Sequence, residues 1–345
     1  MISVPWSGTV PFGVSDFEPD AKRRYTGGTA NALVRARGEE LRCCIRGCNR
    51  WLARRRRGVP PEYCPDHHIS ISLSPTYVFQ DWRSNFIVNP APISGMSKVE
   101  KWRLGNESSE DALSWNVFVP LLYMDLLPAL LEQLDLDRTM SEVELYLWGN
   151  RILKTPGSKG LWDHLSRVRK TLEPRELGGG FPTEPDVILR VPGRLLVLIE
   201  AKFGSSNATL FRKEDRFSSV VDFLARYPSA EGIEDPIDRK WIEEQAPECV
   251  LEQLVRNVVF TTHLAEKGER MIVLNLVRKS DEITVESKFR KHLIPQGCVE
   301  FRRVTWESFW PIFVRGGDNA TPVLNYLANK SLGLGAAFPS LSSAP

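Results

Sequence analysis

Thr183-Glu184-Pro185-Asp186-Val187-Ile188-Leu189-Arg190-Val191-Pro192-Gly193-Arg194-Leu195-Leu196-Val197-Leu198-Ile199-Glu200-Ala201-Lys202 is the stretch on which the fold turns. Two runs rich in Val, Ile and Leu flank a Pro-Gly breaker, the pattern of a β-hairpin with largely buried strands. Asp186, Glu200 and Lys202 sit at its outer ends. Charges on apolar strands must pair, bind a metal or face a cleft, because an unpaired buried charge costs too much. Chemistry is therefore expected here first.

The register decides whether these charges meet. With Val191, Pro192 and Gly193 as a three-residue loop, Arg190 pairs with Arg194 and Asp186 opposes Leu198. Glu200 and Lys202 then share the face of Asp186. A two-residue turn would set Asp186 against Ile199 and part the charges.

Working outward, residues 141–148 alternate well enough for a first strand. A helix is expected to start near Asn106, with Glu107, Glu110 and Asp111 in its first turns. Glu110 falls on the apolar stripe of Leu113, Val117, Phe118 and Leu121, so its carboxylate points into the protein or simply complements the helix dipole. Residues 151–180 read as a long connection with a short helix near 161–172, and 208–247 as an insertion or lid. Residues 249–267 read as a helix with Leu251, Leu254, Val255, Val258 and Thr262 inside. Gln253, Arg256 and Asn257 form its adjoining polar stripe. Residues 271–277 read as a central strand.

Asp186 and Glu200 on one face supply hard oxygen ligands for Mg2+. Lys202 beside them could hold the attacking water and offset transition-state charge. Glu110 could complete the coordination, and Gln253 could position phosphate or water. At these residues the chain resembles the PD-(D/E)XK nuclease superfamily, through Pro185-Asp186 followed by Glu200-Ala201-Lys202 on a second strand. The order helix, strand, hairpin, helix, strand from about 106 to 277 is similar as well. The resemblance implies an α/β fold: a three-layer α/β/α restriction endonuclease-like core with a central mixed sheet over residues 100–330. It also implies metal-dependent hydrolysis of phosphodiester bonds, with DNA the expected substrate. Asp186 and Glu200 would bind Mg2+ or Mn2+, and Lys202 would be the catalytic cation. Glu110 matches the acid many members carry on the first helix, and Gln253 resembles a later-helix Gln of some branches. The 203–247 interval is longer than the family's minimal core.

A second constellation lies upstream. Cys43, Cys44, Cys48 and Cys64 cluster with His67 and His68 nearby, a metal-site distribution rather than a disulfide framework. Cys43, Cys48, Cys64 and His67 can surround a structural Zn2+, with Cys44 an alternative to Cys43. The short knuckles resemble small treble-clef or ribbon zinc fingers. Between them run Arg54, Arg55, Arg56 and Arg57, and residues 42–57 contain no acid, so phosphate backbones are the expected partner. Tyr77, Phe79, Trp82 and Phe86 could stack on bases, but burial is the more ordinary use.

The expected organisation is a lead-in segment at 1–40, a zinc-binding module at 41–90, a nuclease-like domain at 100–330 and a flexible tail at 331–345. The chain has 345 residues, 42% apolar and 26% charged, with formal net charge +2, as in ordinary globular proteins. Nucleic-acid affinity must therefore come from local patches. No signal peptide or membrane span is expected, and clustered thiols suit a reducing cytoplasm. A homodimer or a partner protein would suit double-strand cutting, though no segment specifies one. The competing function class is a non-catalytic zinc-finger nucleic-acid binder on a degenerate nuclease scaffold.

Overall fold

The computed structural model describes residues 3–7, 40–43, 45, 48–74, 76–96, 101–137, 142–154, 158–174, 184–207, 219–245, 250–281, 283–332, 335–339 and 341. It divides into two compact units, Met1–Leu126 with Glu307–Pro345, and Leu127–Trp306. The boundaries thus fall inside the expected 100–330 domain. Between the expected zinc-binding module and the expected nuclease-like domain, Ala91–Gly95 forms a short 3-10 turn with Ile93 buried. Most of the 1–40 lead-in, the triple glycine at 178–180 and Cys44 lie outside the described residues.

In the first unit, β1 (Glu40–Arg42) and β2 (Trp51–Ala53) form an antiparallel hairpin, as do β3 (Ile69–Ile71) and β4 (Tyr77–Phe79). A parallel bridge from Arg54 to Ile71 joins the hairpins. Leu52, Ile69, Ile71, Tyr77 and Phe79 form a small core with Cys43, Cys48 and Cys64. After α1 (Lys101–Leu104) comes α2 (Glu110–Tyr123). It starts later than expected because Asn106 is used in a turn, accepting from Ser108 N–H at 3.0 Å, while Ser109 Oγ caps the helix through Ala112 N–H at 3.3 Å. Residues 112–122 are buried all round, so α2 is a core helix rather than an amphipathic one.

The second unit opens with α3 (Leu127–Gln133) and is built on one seven-stranded mixed sheet. Its strands are β5 (Glu144–Leu147), β6 (Asn150–Ile152), β7 (Ser158–Leu161), β8 (Val187–Val191), β9 (Leu195–Ala201), β10 (Arg270–Val277) and β11 (Val299–Thr305). The spatial order is β11-β10-β9-β8-β5-β6-β7, parallel from β9 to β11 and antiparallel elsewhere. Two of these strands lie in the expected 151–180 connection. β6 escapes a sequence reading because the turn that joins it to β5 is Trp148-Gly149, both at positive φ (51° and 76°), rather than a familiar Asn-Gly.

Helices α4 (Asp163–Leu172), α5 (Val220–Arg226), α6 (Arg239–Gln245), α7 (Glu252–Leu264) and α8 (Val285–Arg290) supply side chains to one core cluster with the sheet. Leu254, Val255 and Val258 of α7 pack there with Ile188, Leu196, Leu198 and Val273. Each such full burial stabilises by about 1.5–3 kcal/mol. The expected lid is, in its described part, core-building: Val220, Phe223, Leu224 and Ile242 all join this cluster.

The hairpin loop is Pro192-Gly193-Arg194, one residue later than expected, since Val191 pairs with Leu195 and Arg190 with Leu196. Arg190 is buried and its Nε donates to Glu269 Oε1 at 2.9 Å, an oxygen that also takes Gly193 N–H at 2.9 Å. The Arg190–Arg194 pairing would have set like charges opposite each other. Instead Arg194 is exposed and reaches Asp137 at 3.2 Å.

The chain returns to the first unit with α9 (Trp310–Arg315), α10 (Thr321–Asn329), β12 (Ser331–Leu332) and β13 (Gly335–Ala336). The expected flexible tail is therefore partly structural. Ser331 N–H and Oγ each donate to the buried Glu107 carboxylate at 2.6 Å, and Phe338 is buried.

Candidate functional site

Val187 pairs with Ile199, so the next residues outward, Asp186 and Glu200, face each other across β8 and β9. The loop length is odd, as the sequence arithmetic required, and the one-residue shift sets Asp186 opposite Glu200 rather than Leu198. Ala201 N–H donates to Asp186 Oδ2 at 2.8 Å, and Trp148 N–H to the Asp186 carbonyl at 3.2 Å. Glu200 and Lys202 are buried, with Lys202 Nζ 2.5 Å from Glu200 Oε1. Lys202 is held by its backbone as well: its N–H donates to Leu276 O at 2.8 Å, and Trp306 Nε1 donates to its carbonyl at 3.1 Å.

The other oxygen of Glu200 has a partner on α7. Asn257 Nδ2 donates to Glu200 Oε2 at 2.9 Å. Gln253 stands one turn earlier on the same stripe, half-buried in the first turn of α7, so Asn257 occupies the carboxylate-facing place. Beside Glu200 on β10 lies Asn275, fully buried, whose Oδ1 accepts from Asn207 Nδ2 at 2.8 Å. Asn275 had a readable signal, a lone amide inside the apolar run Met271–Val277. Asn207 had none. Glu110 opens α2 in the first unit, half-buried in the first turn after the Ser109 cap.

In the first unit, Cys43, Cys48, Cys64 and His67 present ligand atoms all within 4.8 Å of one another and could hold a metal ion such as zinc. Cys48 and Cys64 sulfurs are 3.9 Å apart, and His67 Nδ1 lies 3.3 Å from Cys64 Sγ and 3.6 Å from Cys43 Sγ. A tetrahedral zinc with bonds of about 2.3 Å to sulfur and about 2.0–2.1 Å to nitrogen has edges of about 3.8 Å and about 3.5 Å. These three separations are close to the edges of such a tetrahedron. The knuckles follow from turn hydrogen bonds: Cys48 N–H to Ile45 O at 3.0 Å, and His68 N–H to Cys64 O at 2.7 Å. Burial, with a smaller push from the Cys43 charge and against a backbone hydrogen bond at Arg50, raises the Cys48 thiol to about 11. His68 turns away and meets Gln80 at 3.0 Å.

Arg54, Arg55, Arg56 and Arg57 are all exposed just past β2. Arg54 Nε donates to Leu73 O at 2.7 Å, which ties the start of the run to the second hairpin. Tyr77, Phe79 and Phe86 are buried, while half-exposed Trp82 carries the Arg83 guanidinium 4.9 Å from its ring centroid. No single helix among the described residues is long and apolar enough to cross a membrane. No family model matches the chain, and neither does any curated protein or solved structure.

Proposed function

We propose that this chain is a metal-dependent endonuclease of the PD-(D/E)XK kind, hydrolysing phosphodiester bonds of DNA, with a zinc finger that grips the nucleic acid. The reading is carried by one observation: Asp186 lies across the hairpin from Glu200, with the Lys202 ammonium on Glu200. Two carboxylates facing each other on adjacent strands repel. A divalent cation between them would turn that repulsion into shared ligation.

Asp186 and Glu200 would hold Mg2+ or Mn2+, hard cations suited to carboxylate oxygen. When bound, the ion polarises a phosphoryl oxygen and acidifies a water. Lys202 brings a fixed ammonium to oxygens that gather charge during attack. Water oxygen forms the new P–O bond, the bond to the leaving oxygen breaks, and that oxygen takes up a proton. Glu110 and Gln253 remain proposed contributors through the family resemblance alone.

The finger's role is delivery. Zinc on Cys43, Cys48, Cys64 and His67 would fold a module with little core of its own, and the arginine run would meet phosphates without reading bases. A reducing, cytoplasmic setting suits thiols kept as ligands.

The second reading is a non-catalytic binder, favoured by the exposed run Arg54 to Arg57, which can meet phosphates with no catalytic group. Incubating plasmid, single-stranded DNA and RNA with the protein and Mg2+ separates the two. The nuclease reading expects cleavage by the wild type and none by Asp186→Ala or Lys202→Ala. Binding without cleavage in every case would sink it in favour of the binder.

A further inference from the structure

Asn257 is 1% exposed on the face of α7 that otherwise buries Leu254, Val255 and Val258. A leucine, with the same branched heavy-atom skeleton, would suit that face, whereas a buried amide loses hydration and must find a partner. The partner is Glu200: Nδ2 donates to Oε2 at 2.9 Å, while Lys202 Nζ stands 2.5 Å from Oε1. Asn275, beside Glu200 on β10, accepts at its Oδ1 from Asn207 Nδ2. The Asn257 backbone carbonyl also accepts from Thr261 Oγ at 2.7 Å within the same helix.

From this arrangement we infer that Asn257 is a positioning residue for the cation site, fixing the orientation of the Glu200 carboxylate; this rests on the metal-dependent reading above. Glu has three side-chain torsions, and a donor on each oxygen removes the rotation of the carboxylate plane. Each oxygen still keeps lone-pair capacity for a cation. Partners that orient a ligand in this way typically account for 10–100-fold in metal affinity. Asn257 holds the carboxylate from the helix side and from a rigid element, which is where a precise site is best supported.

The test is calorimetric Mn2+ binding to the full chain, comparing wild type with Asn257→Leu and Asn257→Asp, each checked for folding by its thermal transition. Asn257→Leu keeps the branched skeleton and removes the donor, so its Mn2+ affinity is expected to fall by about tenfold or more. Unchanged affinity in a folded Asn257→Leu would overturn the positioning role while leaving the cation site intact. A wild type that binds no Mn2+ at all would overturn the metal-dependent reading, and this inference with it. Should Asn257→Leu fail to fold, asparagine-selective nitrogen-15 labelling of the wild type reads the same hydrogen bond directly. The Asn257 side-chain amide signals, assigned from the Asn257→Asp spectrum, are expected to shift on Mg2+ addition in step with binding. Signals that stay fixed while Mg2+ binds would reject the assignment.

Discussion

Asp186 and Ala201 are joined across the central hairpin, the Ala201 backbone N–H donating to Asp186 Oδ2 at 2.8 Å. The carboxylate therefore closes the ladder past its last paired residues as well as offering charge. Asp186→Asn keeps an acceptor oxygen for this bond, while Asp186→Ala removes it. Asp186→Ala is expected to lose about 1 kcal/mol of stability and Asp186→Asn much less, yet both should lose divalent-cation binding. Urea denaturation alongside Mn2+ calorimetry measures the two effects separately.

Glu200 and Lys202 form a buried pair, and removing one partner takes a buried counter-charge from the other. Glu200→Gln and Lys202→Met should each destabilise by about 3–5 kcal/mol, with the double variant recovering much of the loss. A double-mutant cycle in denaturant reads the coupling. Additive effects would show that the pair is not energetically linked.

The Cys43, Cys48, Cys64 and His67 cluster predicts about one zinc per chain by elemental analysis. Cys64→Ser or a strong chelator should release it and unfold the β1–β4 module, leaving the sheet of the second unit cooperative. Two separate thermal transitions in the stripped protein, against the metal-loaded form, report this. Protein purified without chelator that carries no zinc would reject the site.

Arg55 and Arg57 should contribute to nucleic-acid affinity through counterion release. Replacing both by Gln is expected to lower the slope of log affinity against log salt by about 0.7–0.9 for each phosphate no longer neutralised. Arg54→Gln is a contrasting case, because its guanidinium already serves the Leu73 carbonyl and its removal should disturb the finger itself. Salt titrations by fluorescence anisotropy distinguish these outcomes.

Tyr146, Tyr227 and Tyr326 are pushed up from the ordinary phenol range, in each case chiefly by burial. Tyr146 and Tyr227 also donate to Glu144 and Glu173, at 2.8 and 2.7 Å. A raised phenol favours the fold while neutral, so its contribution is present below the ordinary value of about 10 and is lost as pH rises beyond it. Ultraviolet difference absorbance should show these three ionising only with alkaline unfolding. Tyr227→Phe should remove part of that alkaline destabilisation.

The hairpin was legible because two apolar runs around Pro192-Gly193 leave few other structures, and odd-loop parity alone put the charges on one face. The one-residue shift was not legible. It depends on Glu269, far along the chain, accepting both Arg190 and the Gly193 amide. Asn257 was visible on a polar stripe, but choosing it over Gln253 needs the depth of α7 against the sheet, which periodicity does not carry. β6 was missed because a Trp-Gly turn precedes it, and β11 because a strand bearing Arg302 and Arg303 reads as irregular. Ser331 looked like the start of a tail because nothing local reveals that its hydroxyl closes on Glu107.

β9 is the strand at which the sheet changes from antiparallel to parallel. The start of β8 and the ends of β9 and β10 consequently open on the same rim, and the segment after Phe203 leaves from there. Substitutions at the end of β10 or at Asn207 can retune the surroundings of Glu200 without altering the pairing that sets Asp186 against it. The fold thus separates what must stay constant from what can diverge: the rim around the site could change residue by residue while the charged hairpin is inherited unchanged.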